Sequence, residues 1–391
     1  MQNEYDVIIS GAGPAGATAA SLLARRGLRV LLIDRQAFPR DKICGDGLTP
    51  GTVQLLLDLG FNTILEKVYA YPIERMRFRT PGGVLLDHAM QAKTGSAGFL
   101  VIPRLKLDDF LYRQALSHGA EPLQARVTGV LLEGGKVAGV RLYKGKSGQA
   151  IRSKVLLAAD GASSAITRQM TGRPIRHKNH FIAIRAYLNS IRIIPHCVEF
   201  FWLKDWLPGY AWIFPLSEQR ANVGLGIPMA QYQRRKPKME RLFKEFLRSD
   251  MMSRRFSGAP DYRQMAVWPI PMAAETSPQI AFDGLLMAGD AAALVDPFSG
   301  EGLHNAILSG SLAAETIMRA VERNDFSYQT LQSYQHACSQ AMQPILRRSR
   351  RLRRILKLFP WVVDGLARLI NRFPQRFAGL LSRHSVDFDF K

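Results

Sequence analysis

Tyr5-Asp-Val-Ile-Ile-Ser-Gly-Ala-Gly-Pro-Ala-Gly16 is the stretch that decides the fold of this 391-residue chain. A β-branched run enters the pattern Gly11-x-Gly13-x-x-Gly16, and an Ala/Leu-rich segment follows it from Ala17 to Arg26. A second apolar run, Arg29-Val-Leu-Leu-Ile-Asp34, comes next and ends in an acid. Strand, glycine turn, helix and strand in this order predict a βαβ unit.

Each glycine of this turn has its own physical reason. Gly11 permits a tight turn, Gly13 lets a pyrophosphate approach the main chain, and Gly16 allows the helix to pack closely on the strand. The helix that follows begins with free N–H groups and a positive dipole end, which attract an anion. Asp34 stands where a carboxylate accepts hydrogen bonds from ribose hydroxyls. The turn therefore predicts a dinucleotide site, but it does not separate NAD from FAD.

Two later signals favour FAD. Asp160-Gly161 ends one predicted strand and Gly289-Asp290 ends another, and the Gly300-Glu-Gly302-Leu303 stretch opens a helix. An aspartate after a strand can hold a ribityl hydroxyl. A helix N-terminus beneath a flavin ring stabilises the negative charge that the ring gains on reduction.

In this order the motifs resemble the FAD-dependent superfamily of para-hydroxybenzoate hydroxylase, over almost the whole chain. Within that superfamily, two segments resemble the geranylgeranyl reductase family. One is Phe38-Pro-Arg-Asp-Lys-Ile-Cys-Gly-Asp-Gly-Leu-Thr-Pro50, and the other is Tyr210-Ala-Trp-Ile-Phe-Pro215 with the later Gly224-Leu-Gly226. Asp46 stands where many members of the family have glycine.

The resemblance implies a set of cofactor-binding residues. They are Gly11, Gly13, Pro14, Ala15, Gly16, Asp34, Arg35, Cys44, Gly45, Gly47, Arg104, Val127, Asp160, Gly161, Gly289, Asp290, Pro297, Gly300, Gly302 and Leu303. Chain-wide, the resemblance predicts an α/β fold in which a Rossmann-like FAD-binding domain is interleaved with an antiparallel-sheet substrate domain, followed by a C-terminal helical region. The predicted boundaries are 1–71, 98–176 and 271–325 for the FAD-binding domain, 72–97 and 177–270 for the substrate domain, and 326–391 for the helical region.

Members of the family reduce carbon–carbon double bonds in prenyl chains of lipids, pigments or quinones. Such a substrate needs an apolar pocket, and Trp202, Tyr210, Trp212 and Phe214 are the predicted substrate-binding residues. For the proton that completes the reduction, the candidate donors are Cys44, Tyr210 and solvent. No second Gly-x-Gly-x-x-Gly pattern offers a nicotinamide site, so the electron donor (NADPH, NADH or ferredoxin) stays open.

Two other functions fit the same motifs. One is a flavin monooxygenase, either a hydroxylase or a halogenase, because the stretch from Tyr210 to Pro215 is similar to a halogenase Trp-x-Trp-x-Ile-Pro segment. No motif for the halogenase lysine accompanies it. The other is a flavoprotein that modifies a protein partner and turns over no small molecule.

The charge of the chain points to an acidic partner surface. Lys and Arg outnumber Asp and Glu by 53 to 32, and from Pro344 to Lys391 there are twelve Lys/Arg against three Asp. The stretch from Ile345 to Phe359 interleaves seven cations with apolar residues, and we expect Ile345, Ser349, Leu352, Leu356 and Phe359 to share a helical face; Phe377, Leu380 and Leu381 continue the apolar character. This pattern favours an anionic membrane surface. The alternative is a helix that packs on the protein and leaves its basic face in solvent. Nucleic acid is a third interpretation, for which no recognition motif is present.

Composition limits the remaining classes. With 47% hydrophobic residues the chain has enough apolar side chains for a core, which excludes global disorder. No apolar run has the length of a membrane span, and the acidic start does not read as a signal peptide. The three cysteines, Cys44, Cys197 and Cys338, lack metal-ligand spacing and are odd in number. We therefore expect a cytoplasmic enzyme without a metal, peripheral at the inner face of the membrane, while the oligomeric state stays open.

Overall fold

The computed structural model describes residues 5–90, 98–143, 148–172, 177, 179–274 and 278–373. Its strands are β1 (Tyr5–Ser10), β2 (Val30–Asp34), β3 (Gly47–Leu48), β4 (Tyr71–Ile73), β5 (Arg75–Arg79), β6 (Leu85–Ala89), β7 (Phe99–Val101), β8 (Glu121–Gln124), β9 (Val127–Glu133), β10 (Lys136–Leu142), β11 (Gln149–Ala158), β12 (Phe181–Ile191), β13 (Cys197–Trp202), β14 (Tyr210–Ser217), β15 (Arg220–Pro228), β16 (Phe256–Ile270), β17 (Ala281–Phe282) and β18 (Leu285–Met287). Its helices are α1 (Pro14–Ala24), α2 (Pro50–Asp58), α3 (Ile64–Lys67), α4 (Arg104–Ser117), α5 (Ala165–Thr171), α6 (Met229–Arg235), α7 (Met239–Arg248), α8 (Asp250–Ser253), α9 (Leu303–Arg323), α10 (Tyr328–Leu358) and α11 (Pro360–Arg372).

The chain forms two compact units, each from three separate stretches. The first comprises residues 1–41, 105–177 and 271–347, and the second comprises 42–104, 178–270 and 348–391. The predicted class, an α/β fold with parallel and antiparallel sheets and C-terminal helices, is confirmed. The predicted FAD-binding domain also included residues 42–71 and 98–104, whereas the structure groups them with the second unit. There β3, β7 and β4 form a small sheet of their own.

The first unit contains the parallel sheet that the glycine turn predicts. Its strand order is β17-β18-β11-β1-β2-β8, and β18, β11, β1, β2 and β8 run parallel. The central strands read as continuous apolar runs because helices cover a parallel sheet on both faces. Glu133-Gly-Gly135 forms the turn of a β-hairpin, since β9 ends at Glu133 and pairs with β10 from Lys136 onward.

The second unit is built on an antiparallel sheet with the order β16-β12-β15-β14-β13-β5-β6, in which only β13 and β5 pair in parallel. Alternate side chains of its strands serve two different clusters. One set, including Ile184, Ile213 and Val223, packs with Phe243 of α7. The other set carries Tyr187, Trp212 and Phe214 and packs with residues of β4 and β7. We call this second surface the aromatic face.

The helical face predicted through Ile345, Ser349, Leu352, Leu356 and Phe359 is found in α10 for the first four residues but not for Phe359. Ser349 and Leu356 are almost fully buried, and Ile345 and Leu352 are partly buried, so this face of α10 packs on protein. Phe359, expected on the same face, is half exposed. Phe377, Leu380 and Leu381 lie outside the described residues.

Candidate functional site

The carboxyl ends of four parallel strands in the first unit carry the predicted cofactor residues. β1 runs into Gly11, β2 ends at Asp34, β11 runs into Asp160, and β18 into Gly289 and Asp290. Because these strands are neighbours in one sheet, their ends lie along the same edge. Ligands of open α/β sheets bind at this edge, where helices leave on opposite faces.

The glycines at this edge are needed for close packing within the unit. A Cβ on Gly11, whose φ is +101°, would lie 2.3 Å from the carbonyl oxygen of Ala159, and one on Gly16 would lie 1.8 Å from the carbonyl oxygen of Gly11. Gly289 faces Ala15, the second residue of α1. Gly13 is different, since the nearest atom to its Cβ would be the Arg40 guanidinium at 3.4 Å. Space above Gly13 is thus left for a ligand, as the pyrophosphate reading requires.

Main-chain N–H groups fix the position of the Asp34 carboxylate. Its two carboxylate oxygens accept the N–H groups of Ala12 at 2.9 Å and Gln36 at 3.0 Å, and its side chain is 13% exposed. Arg40 lies 3.7 Å from Asp34 and donates to the buried Asp108 at 2.8 Å. The sequence reasoning missed Arg40 as an individual residue, although it stands in the quoted Phe38–Pro50 segment. A guanidinium beside the Gly13 turn is suited to pair with a phosphate.

Two acids at this edge keep buried oxygens without a hydrogen-bond partner among the described residues, namely Asp160 Oδ1 and Asp296 Oδ2. Burial raises the pKa of Asp160 to about 6, with a hydrogen bond from Ser164 opposing the shift. An unsatisfied buried oxygen costs free energy unless a ligand or water supplies a donor. The hydroxyl groups of an FAD ribityl chain and ribose are such donors, so the residues present fit this cofactor.

The start of α9 is shaped as the sequence predicts. Asp296 accepts the N–H groups of Phe298 and Ser299 at 2.9 and 2.8 Å, which folds the loop back toward Gly302. Gly302 is the N-cap, and a Cβ on it would lie 3.7 Å from Asp290 Oδ1. Asp290 therefore lies beside a helix N-terminus, the arrangement proposed for the ribityl chain and the anionic edge of a reduced flavin.

The other predicted cofactor residues divide between the units. Pro14, Ala15, Arg35, Val127, Gly161, Pro297, Gly300 and Leu303 belong to the first unit, and Cys44, Gly45, Gly47 and Arg104 belong to the second. Within the second unit, Gly45 and Gly47 lie under Phe214, because a Cβ on either would come within 3.1 Å of its ring. The Cys44–Gly47 segment thus packs directly on the aromatic face.

The predicted substrate residues share that face. Phe200 is edge-on to both Tyr210 and Phe214, at 6.0 and 5.3 Å between ring centroids. Tyr210 and Trp202 are partly exposed, whereas Trp212 and Phe214 are buried. Tyr210 and Trp202 thus reach the surface of the described residues, and the buried Trp212 ring lies 6.0 Å from that of Tyr210.

The Cys44–Gly47 segment is held by a buried polar network, centred on its Asp46, that the sequence did not predict. Asp46, with φ +68° and no exposed area, accepts the Tyr187 hydroxyl at 2.9 Å, the Asn222 amide at 2.7 Å and the Arg104 N–H at 3.2 Å. Arg185 is also fully buried and donates to the Lys42 carbonyl oxygen at 2.9 Å. A charged group needs such partners away from water.

Burial raises the pKa of Asp46 to about 6, against the opposing charge of Arg185 and the hydrogen bonds from Asn222 and Tyr187. The folded chain therefore binds this proton more tightly than the unfolded chain. The stabilising contribution is fully present below the ordinary pKa of 3.8 and is lost as the pH rises through about 6.

We expect this linkage to disappear in Asp46→Asn. Between about pH 4 and pH 7 the free energy of unfolding of the wild type should fall relative to that of the variant, by about 3 kcal/mol. Urea denaturation of the flavin-loaded proteins across this range measures the difference. Asp87→Asn is the control: burial raises the pKa of Asp87, but hydrogen bonds from Arg77 and Arg75 lower it overall, so its stability difference from wild type should stay nearly constant over this range and fall only below about pH 4. A constant difference for Asp46→Asn would contradict the assignment.

Comparison with known proteins also indicates an FAD-binding fold. The family described as FAD binding domain matches residues 4–349. The digeranylgeranylglycerophospholipid reductase of Methanocella arvoryzae is 28% identical over 360 residues, covering 91% of this chain and 88% of that protein. The menaquinone reductase of Mycobacterium tuberculosis is 34% identical over 327 residues, covering 81% of this chain and 77% of that protein. Among solved structures, a geranylgeranyl bacteriochlorophyll reductase-like protein from Thermoplasma acidophilum superposes with a TM-score of 0.83 at 26% identity, covering 94% and 91% of the two chains.

Proposed function

Because the chain belongs to the FAD-binding-domain family, and within it to the geranylgeranyl reductase family of FAD-dependent oxidoreductases, we propose that it reduces carbon–carbon double bonds in the side chain of an isoprenoid quinone or lipid. The observation that carries the proposal is the aromatic face of the second unit, which also holds the Cys44–Gly47 segment. The relatives named above are reductases of an isoprenoid phospholipid and of menaquinone, which supports this substrate class.

An isolated alkene has no charged handle, so it is bound by burial of apolar surface. Two polar groups of the aromatic face are already used within it, because the Trp212 indole N–H donates to Asn222 Oδ1 at 3.0 Å and Tyr187 donates to Asp46. Trp202 and Tyr210 would contact a ligand mainly through the apolar surfaces of their rings. Burial of each apolar methylene is worth about 0.8 kcal/mol, enough over several prenyl carbons for specific binding.

FAD supplies the hydride when it is bound. The residues of the first unit would hold it: Asp34 toward the ribose, Asp290 toward the ribityl chain, and the α1 N-terminus with Arg40 toward the pyrophosphate. The second carbon of the alkene needs a proton, and we retain Cys44 and Tyr210 as candidate donors because both are partly exposed on the second unit. Solvent is the third candidate.

The experiment is an anaerobic single turnover. The enzyme is reduced with dithionite, mixed with menaquinone or with a digeranylgeranyl glycerophospholipid, and the products are weighed by mass spectrometry. We expect a gain of two hydrogens for each double bond reduced. Flavin reoxidation by itself is insufficient, because a quinone ring can accept the electrons. Menaquinone with a saturated side chain is therefore the matched control, and it should gain no hydrogens in its chain.

The alternatives predict different products. A hydroxylase or halogenase on this scaffold needs oxygen, so it would leave both substrates unchanged without it and would add oxygen or halogen in air. A flavoprotein that modifies a protein partner would bind FAD and turn over neither substrate. Unchanged side chains under anaerobic conditions would therefore contradict the reductase proposal.

The partner surface that we propose is an anionic membrane, contacted through the C-terminal helices. One side of α11 is fixed to the β5–β6 turn, since Asp364 accepts the Gly82 N–H and Asn371 donates to the Leu85 carbonyl oxygen, both at 2.9 Å. The opposite side and the end of α10 carry exposed apolar residues, namely Ile355, Leu358, Phe359, Trp361, Val362, Leu366, Leu369 and Phe373. We call these eight residues the tail patch.

Charge near the tail patch favours the same partner. Arg351, Arg354, Lys357, Arg368 and Arg372 are exposed on α10 and α11. Exposed aromatic and aliphatic side chains bordered by cations are typical of helices that lie in the interface of an anionic bilayer. Within the described residues, none of the helices has the length and apolarity that a membrane crossing requires. The attachment that we propose is peripheral, and it would keep the enzyme beside lipid-borne prenyl chains.

A further inference from the structure

The side chain of Asn222 reaches three different parts of the second unit. Asn222 lies in β15 opposite Tyr187 of β12 and Phe214 of β14, and it has no exposed area. Its Oδ1 accepts the Trp212 indole N–H at 3.0 Å. Its Nδ2 donates to the Cys44 carbonyl oxygen and to Asp46 Oδ2, both at 2.7 Å. An amide is the side chain that provides one acceptor and two donors from a single rigid group.

Asn222 shares the task of placing this segment with Tyr187 and with the Arg104 N–H, which also donate to Asp46. Gly45 and Gly47 have no side chains, and they let the main chain lie against the Phe214 ring. Asp46 is in the left-handed region, and its carbonyl oxygen accepts the Ile102 N–H at 2.9 Å. The segment therefore depends on directional hydrogen bonds, of which Asn222 donates two.

We propose that Asn222 is a positioning residue that ties the Cys44–Gly47 segment to the Trp212 indole, so that the place of the Cys44 thiol and the shape of the aromatic face are determined together. The proposal rests on the proposed function for its significance, because a prenyl alkene and its proton source must be aligned. Its test uses the thiol and not turnover, so the two can fail separately.

Cys44 can be followed selectively. It is partly exposed, whereas Cys197 and Cys338 are buried, and burial raises the pKa of both buried thiols to about 12. A thiol reagent should therefore label Cys44 first in the folded holoenzyme. The buried pair serves as an internal report of global unfolding.

The first experiment compares labelling of Cys44 by dithiodipyridine in wild type and Asn222→Leu, both loaded with FAD, with the labelled site identified by mass spectrometry. Loss of two buried hydrogen bonds should free the segment, and we expect Cys44 to react about tenfold faster or more. Asn189→Leu is the matched control. Asn189 lies on the same sheet, but its amide donates to Asp261 at 3.0 Å and not to Cys44 or Asp46, so the Cys44 rate should stay at the wild-type value.

The second variant, Asn222→Asp, keeps the shape and adds a pH signature. At about pH 8 two carboxylates would face each other at residues 222 and 46, the donors to Cys44 and Asp46 would be lost, and the segment should open. At about pH 5 one shared proton restores a hydrogen bond, and the rate relative to wild type should return toward one. Arg185, the Tyr187 hydroxyl and the Arg104 N–H also face Asp46, and Arg220 lies over the Tyr187 ring, but all are present in both proteins. Asn189→Asp, facing Asp261, should leave Cys44 unchanged at both pH values.

Two results would overturn the proposal. One is a Cys44 rate within twofold of wild type in both Asn222 variants. The other is an equal acceleration at Cys44, Cys197 and Cys338, because the amide would then support the fold as a whole and would not position the segment. If Asn222→Leu does not fold, Asn222→Asp at the two pH values decides alone.

Discussion

Gly13→Val should yield a folded chain that has lost its flavin. Gly13 has ordinary backbone angles, and among the described residues a Cβ there meets the Arg40 guanidinium and no other atom within 4 Å, so the branched side chain can be accommodated by the protein itself. It would occupy the space through which a pyrophosphate reaches the N–H groups at the start of α1. Loss of two hydrogen bonds to a charged phosphate costs about 3–6 kcal/mol, which is roughly a hundredfold or more in FAD affinity.

Flavin fluorescence titration of the purified apoprotein, with circular dichroism for the fold, measures both halves of this expectation. Gly258→Val is the matched control, since Gly258 lies in the exposed strand β16 with open space around it and should bind FAD normally. Gly16→Val should fail differently, because its Cβ would overlap the Gly11 carbonyl oxygen and prevent folding. If Gly13→Val bound FAD like the wild type, the glycine turn would not be the pyrophosphate site.

The edge of the parallel sheet could be predicted from the sequence because its signals are local. Gly11 to Gly16, Asp34, Asp160-Gly161 and Gly289-Asp290 each stand at the end of an apolar run, and the carboxyl ends of parallel strands meet at one edge. The sheet order confirms that neighbourhood. Binding of FAD by the individual residues stays a prediction, which the Gly13 and Asp34 positions allow to be tested.

The network under the Cys44–Gly47 segment could not be predicted in the same way. Asp46, Arg185 and Asn222 are separated by more than 35 residues along the chain, and their contact depends on the register of β12 with β15. A signal did exist, because Arg185 and Asn222 interrupt apolar stretches of β12 and β15. A polar residue in such a run is either exposed or paired, and the sequence does not tell which.

The aromatic residues show a further limit of sequence reasoning. Alternation along β14 places Tyr210, Trp212 and Phe214 on one face of the sheet, as period two requires. It does not say which rings reach the surface. In the structure Tyr210 is partly exposed, and Trp212 and Phe214 are buried beneath the segment that the glycines allow to approach.

The helical face predicted for α10 packs on protein at Ser349 and Leu356, and this bears on membrane binding. A helix with apolar residues on more than one side must bury one of them, and packing selected the side with Leu356. The exposed apolar area instead begins near the end of α10 and continues along α11. There Trp361, Leu366 and Leu369 are 69%, 47% and 43% exposed.

We expect the variant Trp361→Ser, Leu366→Ser, Leu369→Ser to lose most of its binding to vesicles that contain phosphatidylserine. Burying these three side chains in the bilayer interface contributes about 1 kcal/mol each at their present exposure, so together they account for about a hundredfold in affinity. Co-sedimentation measures the bound fraction. In wild type the cation contribution should fall as salt rises, since charges are screened over about 8 Å at physiological ionic strength, while the apolar contribution should remain.

The matched control is Leu65→Ser, Tyr69→Ser, Leu132→Ser, three residues of similar exposure (50%, 61% and 47%) that lie outside the tail patch. If general stickiness of exposed apolar side chains caused vesicle binding, both triple variants would lose it alike. If the tail patch is the membrane surface, the control should bind like the wild type at every salt concentration. At high salt the triple variant at Trp361, Leu366 and Leu369 should dissociate from the vesicles almost completely. The cations are then screened, and the apolar side chains that would remain in the interface are missing. Equal binding of the wild type and of this triple variant at high salt would exclude the tail patch as the membrane anchor.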